Sequence, residues 1–240
     1  MNRWKEIKLR VKLLLRLFRD LRQGTRAKLV RPVSGDPPGF EYLISLEQPI
    51  RPNASVANKR LNIRLAADRI AQVTLAPGSI FSFWYVVGRP TLANGFRPSR
   101  NIVRGQLSEE VGGGLCQVSG ILYHLALLAG LNVMERWPHS LDIYNDEDRY
   151  APLGADATVV FGYKDLRISN PHPFPLAFSF DVADNQLICR VSSAGYIPKQ
   201  LIAFRRQPAG EREKVTTVRI TEAGETVLAV SSYGKINHAS

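Results

Sequence analysis

The sequence predicts an α+β protein: a mostly antiparallel sheet packed on a central buried helix, a β-rich C-terminal part and a basic N-terminal helix. Three observations lead there. Helical periodicity is confined to the first 130 residues, whereas apolar runs after residue 157 are short, alternating and separated by turn signals. Helices that segregate from strands in this way indicate α+β rather than an alternating α/β order. The stretch Gly112-Gly113-Gly114-Leu115-Cys116-Gln117-Val118-Ser119 leads into an apolar run from Gly120 to Gly130, which supplies the buried helix. Finally, residues 1–31 hold eleven Lys/Arg against Glu6 and Asp20, a net of +9 out of +11 for all 240 residues.

Composition divides the chain into a basic helix (1–31), a linker (32–39), a core domain (40–183) and a C-terminal β extension (184–240). In the first, Ile7, Val11, Leu14, Leu15 and Phe18 form one helical stripe, with Lys and Arg around most of the remainder. Pro32 to Gly39 carries two turn signals and no periodicity. A strand is expected over Phe40 to Leu46. Ser55 to Thr74 reads as a helix burying Leu61, Leu65 and Ile70, ended before Pro77-Gly78. Ile80 to Val87 is dense in aromatic and β-branched residues and reads as a strand. Asn101 to Leu107 is another. In the glycine-led helix, Leu115, Val118, Leu122, Leu125 and Ala129 recur at three- and four-residue steps, and Gly130 stops it. Leu131 to Trp137 then forms a strand, followed by a polar loop from Asp142 to Arg149. Ala157–Tyr163, Leu166–Ser169, Leu176–Val182 and Gln186–Val191 are short strands, and Thr216–Ile220 with Thr226–Ser231 closes the chain as a hairpin.

Composition also excludes classes. Two cysteines, Cys116 and Cys189, form no disulfide framework and no Cys-x-x-Cys zinc site, and neither metal nor cofactor is called for. Cys189 shares a strand face with Leu187 and Val191 and reads as a core thiol. Arginines interrupt every apolar run of the leading helix, so it is neither a secretory signal nor long enough in apolar residues to cross a bilayer. The expectation is a cytoplasmic chain whose residues 1–31 are suited to peripheral contact with an anionic membrane at its inner face. Trp4 and Phe18 are too few aromatics for base stacking, which argues against a nucleic-acid partner.

The chemistry centres on Cys116. In the first turn of a buried helix, unpaired N–H groups and the helix dipole favour an anion, which lowers a thiol from its usual pKa of ~8.5. Of four histidines, His124 lies eight residues along the same helix, about 12 Å up the axis and roughly 80° around it, out of reach. His172 and His238 read as surface. His139 ends the strand that follows the helix, and that strand returns beside the helix start. Cys116 as nucleophile and His139 as base therefore form the candidate pair. Asp156, at the entrance of the next strand, is the candidate orienting acid, with Asp142 and Asp148 as alternatives. Gly113, Gly114, Gln117, Arg136 and Ser140 are candidates for holding an oxyanion or substrate, and Arg104 a further candidate for a substrate carboxylate.

Four ordered motifs resemble the VanW family: Pro77-Gly78-Ser79-Ile80-Phe81-Ser82-Phe83, the Gly112–Ser119 stretch, Glu135-Arg136-Trp137-Pro138-His139-Ser140 and Gly154-Ala155-Asp156-Ala157-Thr158-Val159. The similarity runs from about Asn58 to Asn170, making 40–183 a VanW-like core. The family is named after an accessory protein of vancomycin-resistance clusters, and some VanW-domain proteins are regarded as cysteine-dependent L,D-transpeptidases. The resemblance implies a peptide or peptidoglycan-precursor substrate, with Cys116 taking the acyl group and His139 serving as base. Envelope members carry a transmembrane or signal segment and often wall-binding domains, and neither is visible here. The expected function is thus a thiol acyltransferase or amidohydrolase on peptide or amide substrates. The rival is a non-catalytic peptide-binding or accessory module associated with glycopeptide resistance or the cell envelope.

Overall fold

Alternation writes the first sheet. In β10 (Gln186–Ser193), every second residue is buried: Leu187, Cys189, Val191 and Ser193. It pairs antiparallel with β1 (Tyr42–Pro49) on one side and β9 (Leu176–Val182) on the other, with Cys189 opposite Leu46 and Phe180. The two-residue β2 (Thr74–Leu75) completes the order β1-β10-β9-β2. The 183/184 junction expected from composition therefore falls inside the β9–β10 hairpin, and β10 carries part of the main core. A computed structural model describes residues 3–32, 40–52, 54–103, 106–142 and 149–235. The linker from residue 33, the loop 143–148 with Asp148, Arg104 and His238 lie outside them.

Two helices cover this sheet. In α2 (Val56–Ala71), the buried face is Asn62, Ile63, Ala66, Ala67 and Ile70. Leu61, expected inside, is exposed, because a fully buried Asn62 claims the neighbouring inward position: its amide accepts from Arg97 N–H and donates to the carbonyls of Arg97 and Gly113. In α4 (Leu115–Leu128), every residue except Cys116 and His124 is buried. It ends in a Schellman pattern: Gly130, at φ 65°, donates to Leu127 and Leu131 donates to Ala126.

A second sheet follows the order β3-β8-β6, from β3 (Ile80–Ser82), β8 (Arg167–Ser169) and β6 (Asn132–Glu135). The strand expected over Ile80–Val87 stops at Ser82, and Phe83–Val87 is a short helix, α3. Its N-terminus is capped from afar. The Ser82 hydroxyl accepts from Tyr85 N–H and donates to Asp165, whose other oxygen accepts from Trp84 N–H. Tertiary capping here outweighs the strand preference of aromatic and β-branched residues. Residues 101–107, expected as one strand, straddle the hairpin of β4 (Pro98–Val103) and β5 (Gln106–Val111), which pairs Val103 with Gln106. Ala157–Tyr163 is not a strand: it runs as an extended segment with a single bridge, Val160 to Lys164. Its hydrogen bonds go to α4 and to the segment after β6 instead of a neighbouring strand.

The last sheet is a meander of β11 (Leu201–Ala209), β12 (Arg212–Thr221) and β13 (Gly224–Lys235), one strand more than the expected hairpin. Its end is joined in parallel to β7 (Leu141–Asp142). The architecture is α+β with mostly antiparallel sheet, as the sequence predicts. The basic helix α1 (Arg3–Arg22) lies outside the sheets, and no helix among the described residues is long and apolar enough to cross a membrane.

Candidate functional site

The glycine triplet is shaped by packing. Gly112 and Gly114 sit at φ 92° and 100°, where side chains are disfavoured. What approaches the main chain at Gly113 is the β4–β5 hairpin: a Cβ there would lie 2.8 Å from both the Cβ and the carbonyl oxygen of Ser99. At Gly114 it would meet Lys59 Cγ at 2.8 Å. Gly113 and Gly114, candidates for substrate contact, thus face protein. Gly113→Ala is expected to cost about 1–3 kcal/mol through overpacking, read as a lower urea midpoint with unchanged slope.

This turn delivers Cys116 to the first turn of α4, half-buried, with its thiol facing the Val159 carbonyl at 3.9 Å. The extended segment 155–159 is pinned there from two sides: the buried Ser119 hydroxyl donates to Ala157 O at 2.6 Å, and Thr158 N–H donates to Trp137 O at 2.7 Å. These contacts bring the end of the β6 segment, and His139 with it, to the helix start. The His139 ring lies near enough to the Cys116 sulfur for each to shift the other's ionisation.

Asp156 fixes the imidazole. Its Oδ2 accepts from His139 N–H at 2.7 Å and meets ring Nδ1 at 2.6 Å. An ionised carboxylate only accepts, so Nδ1 carries a proton and donates. The carboxylate stays ionised: burial pushes its pKa up, but the hydrogen bond and charge of His139, with Arg136 and Tyr233, hold it well below the usual range. For His139, burial disfavours the imidazolium, yet the hydrogen bonds to Asp156 and Cys116 prevail and push it up to about 10. For Cys116, burial again pushes upward, and the hydrogen bond and charge of His139, aided by a backbone hydrogen bond at Val159, bring the thiol below its ordinary value. A carboxylate-held imidazole next to the sulfur favours a thiolate–imidazolium pair. With 43% of its side chain exposed, His139 is open to an incoming molecule.

Arg136 stands behind the acid and does not reach outward as a substrate clamp. Its guanidinium donates to Asp156 Oδ1 at 2.8 Å, to the Asp156 and Gly154 carbonyls at 2.7 and 2.9 Å, to Tyr233 Oη at 3.0 Å and to Ser231 Oγ. With its side chain 6% exposed and these donors engaged, little is left for a ligand. Gln117 is not brought to the thiol either: its amide donates to Pro49 O at 2.9 Å. Ser140 is exposed, and its carbonyl accepts from Gly234 N–H. Asp142 pairs with Arg149 at 2.6 Å. His124 is half-buried against Phe204, and burial with nearby Lys199 lowers it to about 4. His172 stacks on Phe174.

Sequence reasoning missed Tyr233, which donates to Asp156 Oδ1 at 2.6 Å and is 1% exposed. It lies 77 residues from Asp156 at the end of an ordinary alternating strand, with no local signal of its role. Ser119 was equally silent, a small polar residue within an apolar helix.

Comparison with known proteins places these residues in a family. Over 157 residues, covering 65% of this chain and 50% of the relative, the chain is 34% identical to the uncharacterized protein YoaR of Bacillus subtilis. Over 113 residues, covering 47% of the chain and 41% of the relative, it is 30% identical to the vancomycin B-type resistance protein VanW of Enterococcus faecalis. The chain thus spans half or less of the length of these relatives. No solved structure matches. The family model described as VanW like protein matches residues 58–192, more than half of the chain and all of Cys116, His139 and Asp156, so the chain belongs to the VanW family.

Proposed function

We propose that the chain is a thiol acyltransferase or amidohydrolase acting on peptide amides, with Cys116 as nucleophile, His139 as acid and base, and Asp156 as the orienting group. The single observation that carries this reading is the Asp156-held imidazole of His139 beside Cys116, with its depressed thiol and raised imidazole. In the first half-reaction the thiolate adds to the carbonyl carbon. As the tetrahedral intermediate collapses, the C–N bond breaks and the imidazolium gives its proton to the departing amine, leaving a thioester. Water or a second amine then attacks the thioester, His139 accepts its proton, and the thiolate leaves. Asp156 remains ionised throughout and stabilises the imidazolium. Tyr233 and Arg136 hold Asp156, so the C-terminal meander belongs to the working unit.

The name of the VanW relative concerns vancomycin resistance, which supports a peptidoglycan stem peptide or its precursor as the substrate. The test separates chemistry from mere binding. Mixing the protein with p-nitrophenyl acetate is expected to release a stoichiometric burst of nitrophenol and add an acetyl group at Cys116, seen by intact mass. Cys116→Ser should show neither. Equal acetylation of both cysteines, or none, would support the binding-module reading instead.

A further inference from the structure

We propose that α1 is a membrane-docking face, held outward by ion pairs to the body, and that its occupant is the surface of a bilayer rich in anionic headgroups. An amphipathic helix on a globular body ordinarily buries its apolar stripe. Here the opposite side is turned inward. Glu6, Leu9, Leu13, Arg16 and Asp20, spaced at three and four residues, are the positions shielded from solvent. Glu6 pairs with Arg89 through two contacts of 2.9 and 3.0 Å. Arg16 makes a two-pronged pair with Glu135 at 2.9 Å on each arm and reaches Asp165 at 3.3 Å. The buried Asp20 makes another with Arg167 at 2.7 and 2.8 Å. Between them, Leu9 and Leu13 lie over Gly162, where a Cβ would collide with Leu9.

Because the polar face is committed, the apolar one is presented to solvent. Ile7, Val11, Leu14, Leu15, Phe18 and Leu21 are between 49% and 67% exposed. At about 100° per residue they occupy the side roughly opposite the docked one, with Arg3 and Arg10 along one border and Lys5, Lys8, Lys12 and Arg19 along the other. A contiguous apolar strip of this size marks an interaction surface. Charge decides among occupants. A second copy of the helix would bring two basic borders together, whereas an anionic bilayer accepts the strip among its acyl chains and neutralises both borders. The helix cannot cross the bilayer, so it lies in the surface plane.

The helix also rests on the segments that flank the thiol site. Glu135, gripped by Arg16, precedes His139 by four residues, and Gly162 follows Val159 by three. Lys12 lies 4.5 Å over the Tyr163 ring, which stacks on Trp137. A docked α1 would hold the rim of that site at the lipid surface. The docking itself does not depend on the thiol chemistry.

The test is cosedimentation of the full chain with vesicles of mixed phosphatidylglycerol and phosphatidylcholine, against vesicles of phosphatidylcholine alone. The expected result is association with the mixed vesicles, weaker in high salt and weaker still without the anionic lipid. The double variant Leu14→Glu/Phe18→Glu should lose roughly tenfold or more of the affinity, while its circular dichroism and Cys116 alkylation stay those of the parent. Three results would overturn the proposal. They are no association with mixed vesicles, undiminished association of the double variant, or an oligomer in solution that the double variant abolishes without any vesicle binding.

Discussion

Iodoacetamide is expected to modify Cys116 rapidly at neutral pH, and His139→Ala to slow that reaction about a hundredfold or more. Three influences set the size of the effect. Burial is the largest influence on the thiol and pushes its pKa upward; the hydrogen bond and charge of His139 are what bring it below the ordinary value. Without the imidazolium, burial and the Asp156 charge outweigh the Val159 backbone and the thiol moves above that value, leaving about one per cent or less as thiolate at pH 7. The pH profile carries a second signature. In the parent protein the ion pair exists above the lowered thiol pKa and persists until His139 loses its proton at about 10. Alkylation should therefore show a plateau through neutrality and a further rise near pH 10, as the thiolate is freed of its counter-ion. Ester or amide turnover should instead fall there, because the leaving group loses its proton donor. In His139→Ala the plateau should vanish, leaving one titration above the usual thiol range. Cys189 serves as the internal control, since burial in the core raises its thiol well above the ordinary value. Equal rates for His139→Ala and the parent would show that the imidazole does not hold the thiol ionised.

Arg136→Met is expected to destabilise the fold by about 3–5 kcal/mol, the range for stripping one partner from a charge pair, reached here because the largely buried guanidinium also serves several carbonyl and hydroxyl acceptors. The substitution keeps much of the side-chain volume but leaves the Asp156 carboxylate without its guanidinium. The carbonyls of Gly154 and Asp156 and the Ser231 hydroxyl also lose their donor. In a chain of this size each kcal/mol corresponds to roughly 2–4 °C, so the midpoint of thermal unfolding should fall by about 6–20 °C. Arg136→Lys should recover only part of this, because an ammonium cannot reproduce a planar fork spread over several acceptors. Tyr233→Phe removes one hydroxyl from the same carboxylate and should cost only about 1–2 kcal/mol. Arg136→Met no less stable than Tyr233→Phe would mean that the guanidinium is not what offsets the half-buried carboxylate.

Local chemistry was enough to find the helix start, the nucleophile candidate and the histidine that can return to it. Glycines before a periodic apolar run, and a strand that must fold back after Gly130, are constraints within some 25 residues of one another. The same local reasoning misassigned residues whose role is set by a distant partner. Ile80–Val87 has strand composition, yet Asp165 and Ser82 cap a helix there. Ala157–Tyr163 has strand composition, yet its polar groups are taken by Ser119 and Trp137. Arg136 resembles a substrate clamp beside a histidine, yet its donors are consumed by a carboxylate and a meander that begins 65 residues later.

Through its periodicities, turn residues and charge, the sequence by itself determined the α+β class, the placement of Cys116 on a buried helix and the basic character of α1. Its ordered motifs determined the family resemblance. Only the tertiary structure decided that Asp156 grips the His139 imidazole, that Tyr233 and Arg136 support that carboxylate, and that α1 turns its ion-paired face inward. The physical reason is common to all three. Periodicity reports which residues avoid water, but a buried charge is tolerable only where a partner meets it at hydrogen-bond distance. For Asp156, Arg16 and Asp20 those partners stand 17 to 149 residues away in the chain.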